Sequence, residues 1–490
     1  MKYYLKTIII IVTFMFLPSY AADSLKIHYS GSPYFTDDIL SSEIKELVSS
    51  QNKEPANIVP HIMNRLLDFY SDKGFPLAVI KTDSMKTSEK ILDIYLNIES
   101  GGYVRVDKVE FRGNKITHSD ALLRQSQIEL RSRFSETELK NACSMIYKTG
   151  LFKDRPDFSI FKSGNEHGIL INVDEKRYLS IMLMAGYSAG DTEDNFSGLA
   201  KIRADNIFGT LRKAEIIWER NGGESENINL KYREPFIFSY HIASRFKFDQ
   251  KFRKDYFLSR EYGFEEEFDI DTRSSVRGGM SRKTVYPDSL YIGSENDIVT
   301  DRYTGGMNYS TEDIYEAIPR SAGFFVDGEI AALNIDIKDS VGLKGIEVSL
   351  SGAAVKKISR SYFVKFSARY DHVIFDEEIP EFNRIYFGGA SSLRGYREEF
   401  FRTDVFIKQS AEIYFVPDRD ELAFSMFFDN AFYNRNSMNI QKIRGLSTLS
   451  SYGGGLIVKF RTGEVSAMIG IPADAVFSES MIHVRYSVKF

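Results

Sequence analysis

From about Tyr178 to Phe490 the sequence is written in twos. Ile482, Val484, Tyr486, Val488 and Phe490 alternate with His483, Arg485, Ser487 and Lys489. Further back, Ile242, Ser244, Phe246 and Phe248 alternate with Arg245, Lys247 and Asp249. A period of two sends successive side chains to opposite faces of a strand, so each segment has one greasy face and one wet face. The segments run to about ten residues between polar turns, the length a tilted strand needs to cross a bilayer. Charged side chains on the second face cannot be left in lipid cheaply, so that face should line a wet interior. A soluble sandwich also alternates, and the pattern alone leaves it open.

Composition narrows the choice. The 490 residues are 43% hydrophobic and 27% charged, which is not the balance of a disordered chain. A net charge of −5 gives no reason to expect nucleic-acid binding. Aromatic residues make up 14%, nearly all Phe and Tyr, as in the interfacial girdles of membrane barrels. Cys143 is the only cysteine, so no internal disulfide can form; on an apolar helical face it reads as core packing.

Met1 to Ala21 carries Lys2 and Lys6, then the apolar run Ile8 to Leu17, then Ser19 and Ala21 at small-residue cleavage positions. It reads as a secretory signal peptide, residues 1–21, too short in its apolar part to span comfortably. No later stretch is long and apolar enough for a transmembrane helix. An exported chain with abundant alternating strands is either soluble in the periplasm or a β-barrel.

Between Asp23 and Arg177 a mixed pattern occurs twice, over 23–100 and 101–177. In the second unit a strand from Val104 to Arg112 precedes Ser135-Glu136-Thr137-Glu138, a capping box opening a helix with Leu139, Ala142, Cys143, Ile146 and Tyr147 on one face. Strands near Arg155–Lys162 and Gly168–Glu175 follow. The first unit repeats the order with a strand at Leu25–Ser30, helices over Asp37–Ser50 and around Ile58–Phe69, and strands near Leu77–Thr82 and Ile91–Glu99.

The barrel-like region has one non-periodic, glycine-rich run, Phe387-Gly388-Gly389-Ala390-Ser391-Ser392-Leu393-Arg394-Gly395-Tyr396. It lies between two alternating strands, and its arginine brings fixed donors and a charge that cannot be shed. Gly388-Gly389 with Leu393-Arg394-Gly395-Tyr396 resembles the signature of the outer-membrane assembly-factor superfamily, the BamA/TamA-like POTRA-plus-barrel proteins, whose commonest form has Val in place of Leu393. Asp205-Asn206-Ile207-Phe208-Gly209 and Arg233-Glu234-Pro235-Phe236 resemble its early-barrel turns, and Tyr452-Gly453-Gly454-Gly455-Leu456 its third-last strand. The two β-α-α-β-β units resemble POTRA domains, and terminal Phe490 resembles the C-terminal signal of outer-membrane proteins in general.

The resemblance implies a mainly β fold: a 16-stranded antiparallel transmembrane barrel over 178–490, preceded by two periplasmic POTRA domains. About 313 residues would give each strand about twenty with its connection. The loop is expected to fold into the lumen, where Arg394, Gly395 and Tyr396 form a latch with Asp429, and Glu265-Glu266-Glu267 to be a solvated loop or lumen face. The barrel should close where Leu179–Tyr187 meets Met481–Phe490, with Tyr486, Val488 and Phe490 at the seam. The implied function is assembly, insertion or translocation of unfolded client polypeptides in a bacterial outer membrane, with outer-membrane lipids and accessory periplasmic or inner-membrane proteins as further partners and no nucleic acid.

Two alternatives stay open. A two-partner secretion transporter for a dedicated exoprotein also has two such domains, although the few residues between Ala22 and Leu25 leave no room for its plug helix. Gly186-Tyr187-Ser188-Ala189-Gly190 fits G-x-S-x-G, which would suit a barrel hydrolase using Ser188, but the helix that must follow a nucleophile elbow is missing. No metal-ligand cluster, P-loop or dinucleotide fingerprint appears, so neither a cofactor nor catalysis is expected.

Overall fold

The computed structural model describes residues 24–489 apart from 50–54, 89–90, 188–195, 222–224, 238–241, 289–296, 312–317, 320, 338–341, 418–420, 435–445, 461–462, 476 and 478–479. The signal peptide, Ser188 and Phe490 lie outside the described residues. Packing divides the chain into two compact units. One holds residues up to Arg112 with Ser126–Cys143 and Asp157–Asn172; the other holds Gly113–Gln125, Ser144–Pro156 and everything from Val173.

Toward the N-terminus the order is β1 (Ser24–Ser32), α1 (Asp37–Ser49), α2 (Pro55–Asp72), β2 (Val79–Ser88) and β3 (Ile91–Glu99). The central strand β3 pairs in parallel with β1 and antiparallel with β2. Its alternation is complete: Leu92, Ile94, Leu96 and Ile98 are buried with Ile58, Ile62, Leu66 and Tyr70 of α2, the faces that periods of two and 3.6 create. The order then recurs as β4 (Lys108–Arg112), α3 (Ser119–Ser126), α4 (Glu136–Lys148), β5 (Asp157–Ser163) and β6 (Glu166–Asn172), with the sheet running β4-β6-β5. β4 is shorter than the expected Val104–Arg112 strand because residues 104 to 106 pair elsewhere. The Phe134 amide donates to Val104 O and the Val106 amide to Ser132 O.

The start of α4 has a cap that the local sequence does not supply. Ser135 Oγ accepts the Glu138 amide at 3.2 Å, the first half of a capping box. Asp72, the last residue of α2, accepts the Thr137 amide at 2.8 Å and the Thr137 and Ser135 hydroxyls at 2.7 and 2.9 Å. Burial alone would raise the Asp72 carboxyl, but these hydrogen bonds outweigh it and hold the group below the usual carboxylate range.

The second unit contains a closed antiparallel barrel of sixteen strands. Its first eleven are β7 (Leu179–Tyr187), β8 (Phe196–Ile207), β9 (Arg212–Asn221), β10 (Ser225–Glu234), β11 (Ile242–Arg253), β12 (Phe257–Asp269), β13 (Ser274–Pro287), β14 (Ile298–Ser310), β15 (Gly323–Ile337), β16 (Leu343–Lys357) and β17 (Tyr362–Phe375). A long connection, 376–404, contains the small hairpin β18 (Ile385–Phe387) and β19 (Phe401–Thr403). The remaining five are β20 (Val405–Phe415), β21 (Leu422–Asn434), β22 (Leu446–Phe460), β23 (Gly463–Pro472) and β24 (Met481–Lys489), and β24 pairs with β7 to close the ring.

The alternation read in the sequence becomes two walls. On β21, Phe424, Met426 and Phe428 are exposed on the outside while Ala423, Ser425, Phe427 and Asp429 are buried inside. Leu183, Trp218, Tyr262, Tyr303 and Ile330 continue the exposed apolar surface around the ring, the surface a bilayer covers. The lumen is charged: Arg245 meets Glu265 and Glu267, Arg277 meets Asp327 and Glu329, and Arg302 bridges Glu329 and Glu347. The Glu265-Glu266-Glu267 run is therefore strand rather than loop. Its outer two carboxylates face inward, and Glu266 turns the other way to accept the Ser244 hydroxyl.

Candidate functional site

The connection 376–404 occupies the lumen, and its own apolar residues explain why it stays there. Phe387 and Leu393 are 1% and 0% exposed and pack with Phe406, Ala431 and Tyr433 of the wall. The Phe387 ring lies 4.6 Å from that of Phe406, centre to centre, tilted by 35°. Ile379 and Phe382 join a second cluster with Phe257, Val285, Leu333 and Phe375. Removing this much apolar surface from water favours the inserted position before any charge is counted.

On that platform Arg394 is only 8% exposed and Asp429 is fully buried. The guanidinium grips Asp429 with two bonds, Nε to Oδ2 at 2.8 Å and Nη2 to Oδ1 at 2.6 Å. Nη1 donates to Glu412 Oε2 at 3.0 Å and Nη2 to Ser410 Oγ at 2.9 Å. Below it lies the Phe427 ring, whose centre is 3.7 Å from the guanidinium carbon. The planar fork is used on every edge and one face, a recognition that lysine cannot reproduce. The acceptors are themselves held: Ser410 Oγ donates to Asp429 Oδ1 at 2.6 Å and Tyr414 Oη to Glu412 Oε2 at 2.9 Å. β20 and β21 bring these groups together because Ser410 pairs with Asp429 and Glu412 with Phe427.

The neighbours of Arg394 fix the backbone. Gly395 has φ +91°, a conformation in which a side chain is strained, and it lies against Ser451 and Gly470. Gly470 has no room for a Cβ, which would fall 2.6 Å from the Gly395 nitrogen. The Tyr396 hydroxyl donates to Ser450 O at 3.0 Å. The loop tip thus touches β20, β21, β22 and β23.

Of the residues singled out in the sequence, Arg394, Gly395, Tyr396 and Asp429 come together. Tyr486 and Val488 lie far along the chain on β24, paired with Leu183 and Ile181 of β7, with Tyr486 exposed on the outer face. Sequence reading missed Glu412, Ser410, Phe427 and Gly470. The signal for the first two was the polar face of the strand after the loop; Gly470 gave none. Gly186 and Tyr187 end β7, and the next described residues form strand β8, not a helix. Among the described residues no His, Cys, Asp and Glu cluster could hold a metal ion.

The comparisons with known proteins agree with this architecture. The POTRA family, described as surface antigen variable number repeat, matches residues 104–176. The outer membrane protein assembly factor BamA of Nitratidesulfovibrio vulgaris is 24% identical over 399 residues, covering 76% of this chain and 48% of that protein. The chain thus spans about half the length of the curated relative it matches. BamA from Haemophilus ducreyi lacking POTRA domains 1–3 superposes with a TM-score of 0.54 at 16% identity, covering 96% of this chain and all of that one. CdiB from Escherichia coli gives a TM-score of 0.62 at 11% identity, over 97% and 93%. The barrel therefore sits in a bacterial outer membrane with its POTRA region in the periplasm. In sequence over three quarters of its length, in its POTRA match and in the fold of its closed barrel, the chain is similar to BamA-type outer-membrane assembly factors.

Proposed function

We propose that this protein inserts or translocates other polypeptides at the outer membrane, receiving them unfolded from the periplasm and passing them to the barrel seam. The observation that carries the reading is the seam itself. β24 pairs with β7 only from Ile482–Tyr187 to Lys489–Ser180 and with β23 only from Met481–Gly470 to Val488–Gly463, whereas β12 and β13 pair from Phe257–Pro287 to Asp269–Ser275. The last strand is thus held by two short ladders, and the one with β7 joins the first barrel strand to the last, so parting it frees two edges that could pair with an incoming strand while backbone groups stay bonded in lipid. Residues 24–99, with the same β-α-α-β-β order as the POTRA match, act as a second POTRA domain, and the outer strands of both sheets offer edges for extended segments. Arg394 with Asp429 is a latch that helps to hold the loop inside during this cycle.

Depletion of the protein tests the proposal. A broad fall in many outer-membrane barrels is expected, and an unchanged outer-membrane profile would refute it. Loss of a single secreted protein would instead favour a dedicated exporter.

A further inference from the structure

The lumenal loop is held at a second place, on the far side from Arg394. Five residues on, Glu399 has φ +48°, a left-handed conformation unusual for a residue with a side chain. Its carboxylate accepts Lys251 Nζ at 2.8 Å, Arg253 Nη1 at 3.1 Å and Ser225 Oγ at 3.1 Å. Beside it, the Tyr386 ring of β18 packs under Arg253, 3.9 Å from guanidinium carbon to ring centre, and 4.8 Å from Lys251 Nζ. Tyr386 Oη in turn donates to Glu381, which also accepts Arg402 at 2.7 Å.

Position in the ring gives these contacts their meaning. Ser225, Lys251 and Arg253 belong to β10 and β11, the fourth and fifth strands counted from β7. Ser410, Glu412 and Asp429 belong to β20 and β21, the twelfth and thirteenth, so the two sets are eight strands apart in either direction. A backbone conformation as costly as that of Glu399 persists only where its surroundings over-determine it, and three donors from one wall do so. We propose that Glu399 is a second, independent anchor of the loop, tying it to the wall opposite the one that Arg394 grips. The loop is then a strap fastened at both ends. Breaking the Arg394 end alone leaves it across the lumen.

The test uses the full-length barrel in planar lipid bilayers, with folding checked by migration on unboiled gels. Glu399→Gln keeps the shape and removes the charge. It should raise the ratio of open to closed current about tenfold, corresponding to about 1.4 kcal/mol, and by a similar factor when added to Arg394→Ala. Exchanging the charges, Glu399→Lys with Lys251→Glu and Arg253→Glu, should bring the ratio back toward that of the unaltered protein. The proposal is overturned if Glu399→Gln conducts like the unaltered barrel, or if its effect vanishes beside Arg394→Ala, which would make it a prop for that arginine. Should Glu399→Gln not fold, Lys251→Met is read in the same way, and an unchanged ratio there also overturns the proposal.

Discussion

Gly395 and Gly470 touch backbone to backbone: a Cβ on Gly470 would lie 2.6 Å from the Gly395 nitrogen and 2.9 Å from its Cα. No rotamer can relieve such a clash, because the obstructing atoms are main chain. Gly470→Ala should therefore displace the Arg394 loop and lower barrel stability by about 1–3 kcal/mol. Gly305→Ala, where nothing lies within 4 Å of the added atom, should be neutral or slightly stabilising. Midpoints of the heat-induced gel shift measure both, and equal midpoints would contradict the packing described.

The Arg394 pair makes a different kind of prediction. Arg394→Ala should leave the barrel inserted yet impair function in cells, and Arg394→Lys should resemble it, since one ammonium cannot reach Asp429, Glu412 and Ser410 together. Removing either partner should cost about 2–3 kcal/mol. The double variant with Asp429→Ala should lose less than the sum, because the second change no longer strands a buried charge. Urea titrations in detergent give these values; strict additivity would mean that the two side chains do not depend on each other.

Asp72 predicts a pH dependence in the periplasmic region. Its folded-state pKa is depressed, so its contribution is present above the unfolded value of about 3.9 and is lost as pH falls through the lower folded one. Asp72→Asn should cost about 1 kcal/mol near neutral pH and less in strong acid. Hydrogen exchange at the Thr137 amide, which Asp72 accepts, reports this site directly; protection that is the same in both proteins at pH 7 would count against the cap.

A covalent staple tests the seam. Val484 and Ala185 are paired across β24 and β7, both exposed on the outer face, and paired strand positions fall within disulfide reach. With Cys143→Ala as background, Val484→Cys with Ala185→Cys should block activity when oxidised and restore it when reduced. Full activity of the oxidised form would mean that the wall does not part there.

Much of the architecture was legible because strand alternation is a local property. β24 could be read residue by residue, and the alternation from Ile242 to Asp249 marked β11 before any pairing was known. The Arg394 and Asp429 contact came from family likeness rather than periodicity. What stayed hidden depends on register or on distant chain. Phe427 lies beneath Arg394 only because β21 continues from Asp429 with its alternation intact, and Gly470 matters only once β23 is seen beside the loop. Asp72 caps a helix that begins 64 residues later, which no capping signature within a window can show. Phe387 opens a non-periodic, glycine-rich run, yet in the lumen it is core.

The loop tip meets β20 through Ser410 and Glu412, β21 through Asp429, β22 through Ser450 and β23 through Gly470. These are the four strands immediately before β24. A wall stiffened in this way resists bending as a panel. Any splaying at the closure would then be taken up on the other flank, by β7 and β8, where the pairing with β9 is already irregular between Asp205 and Ile207.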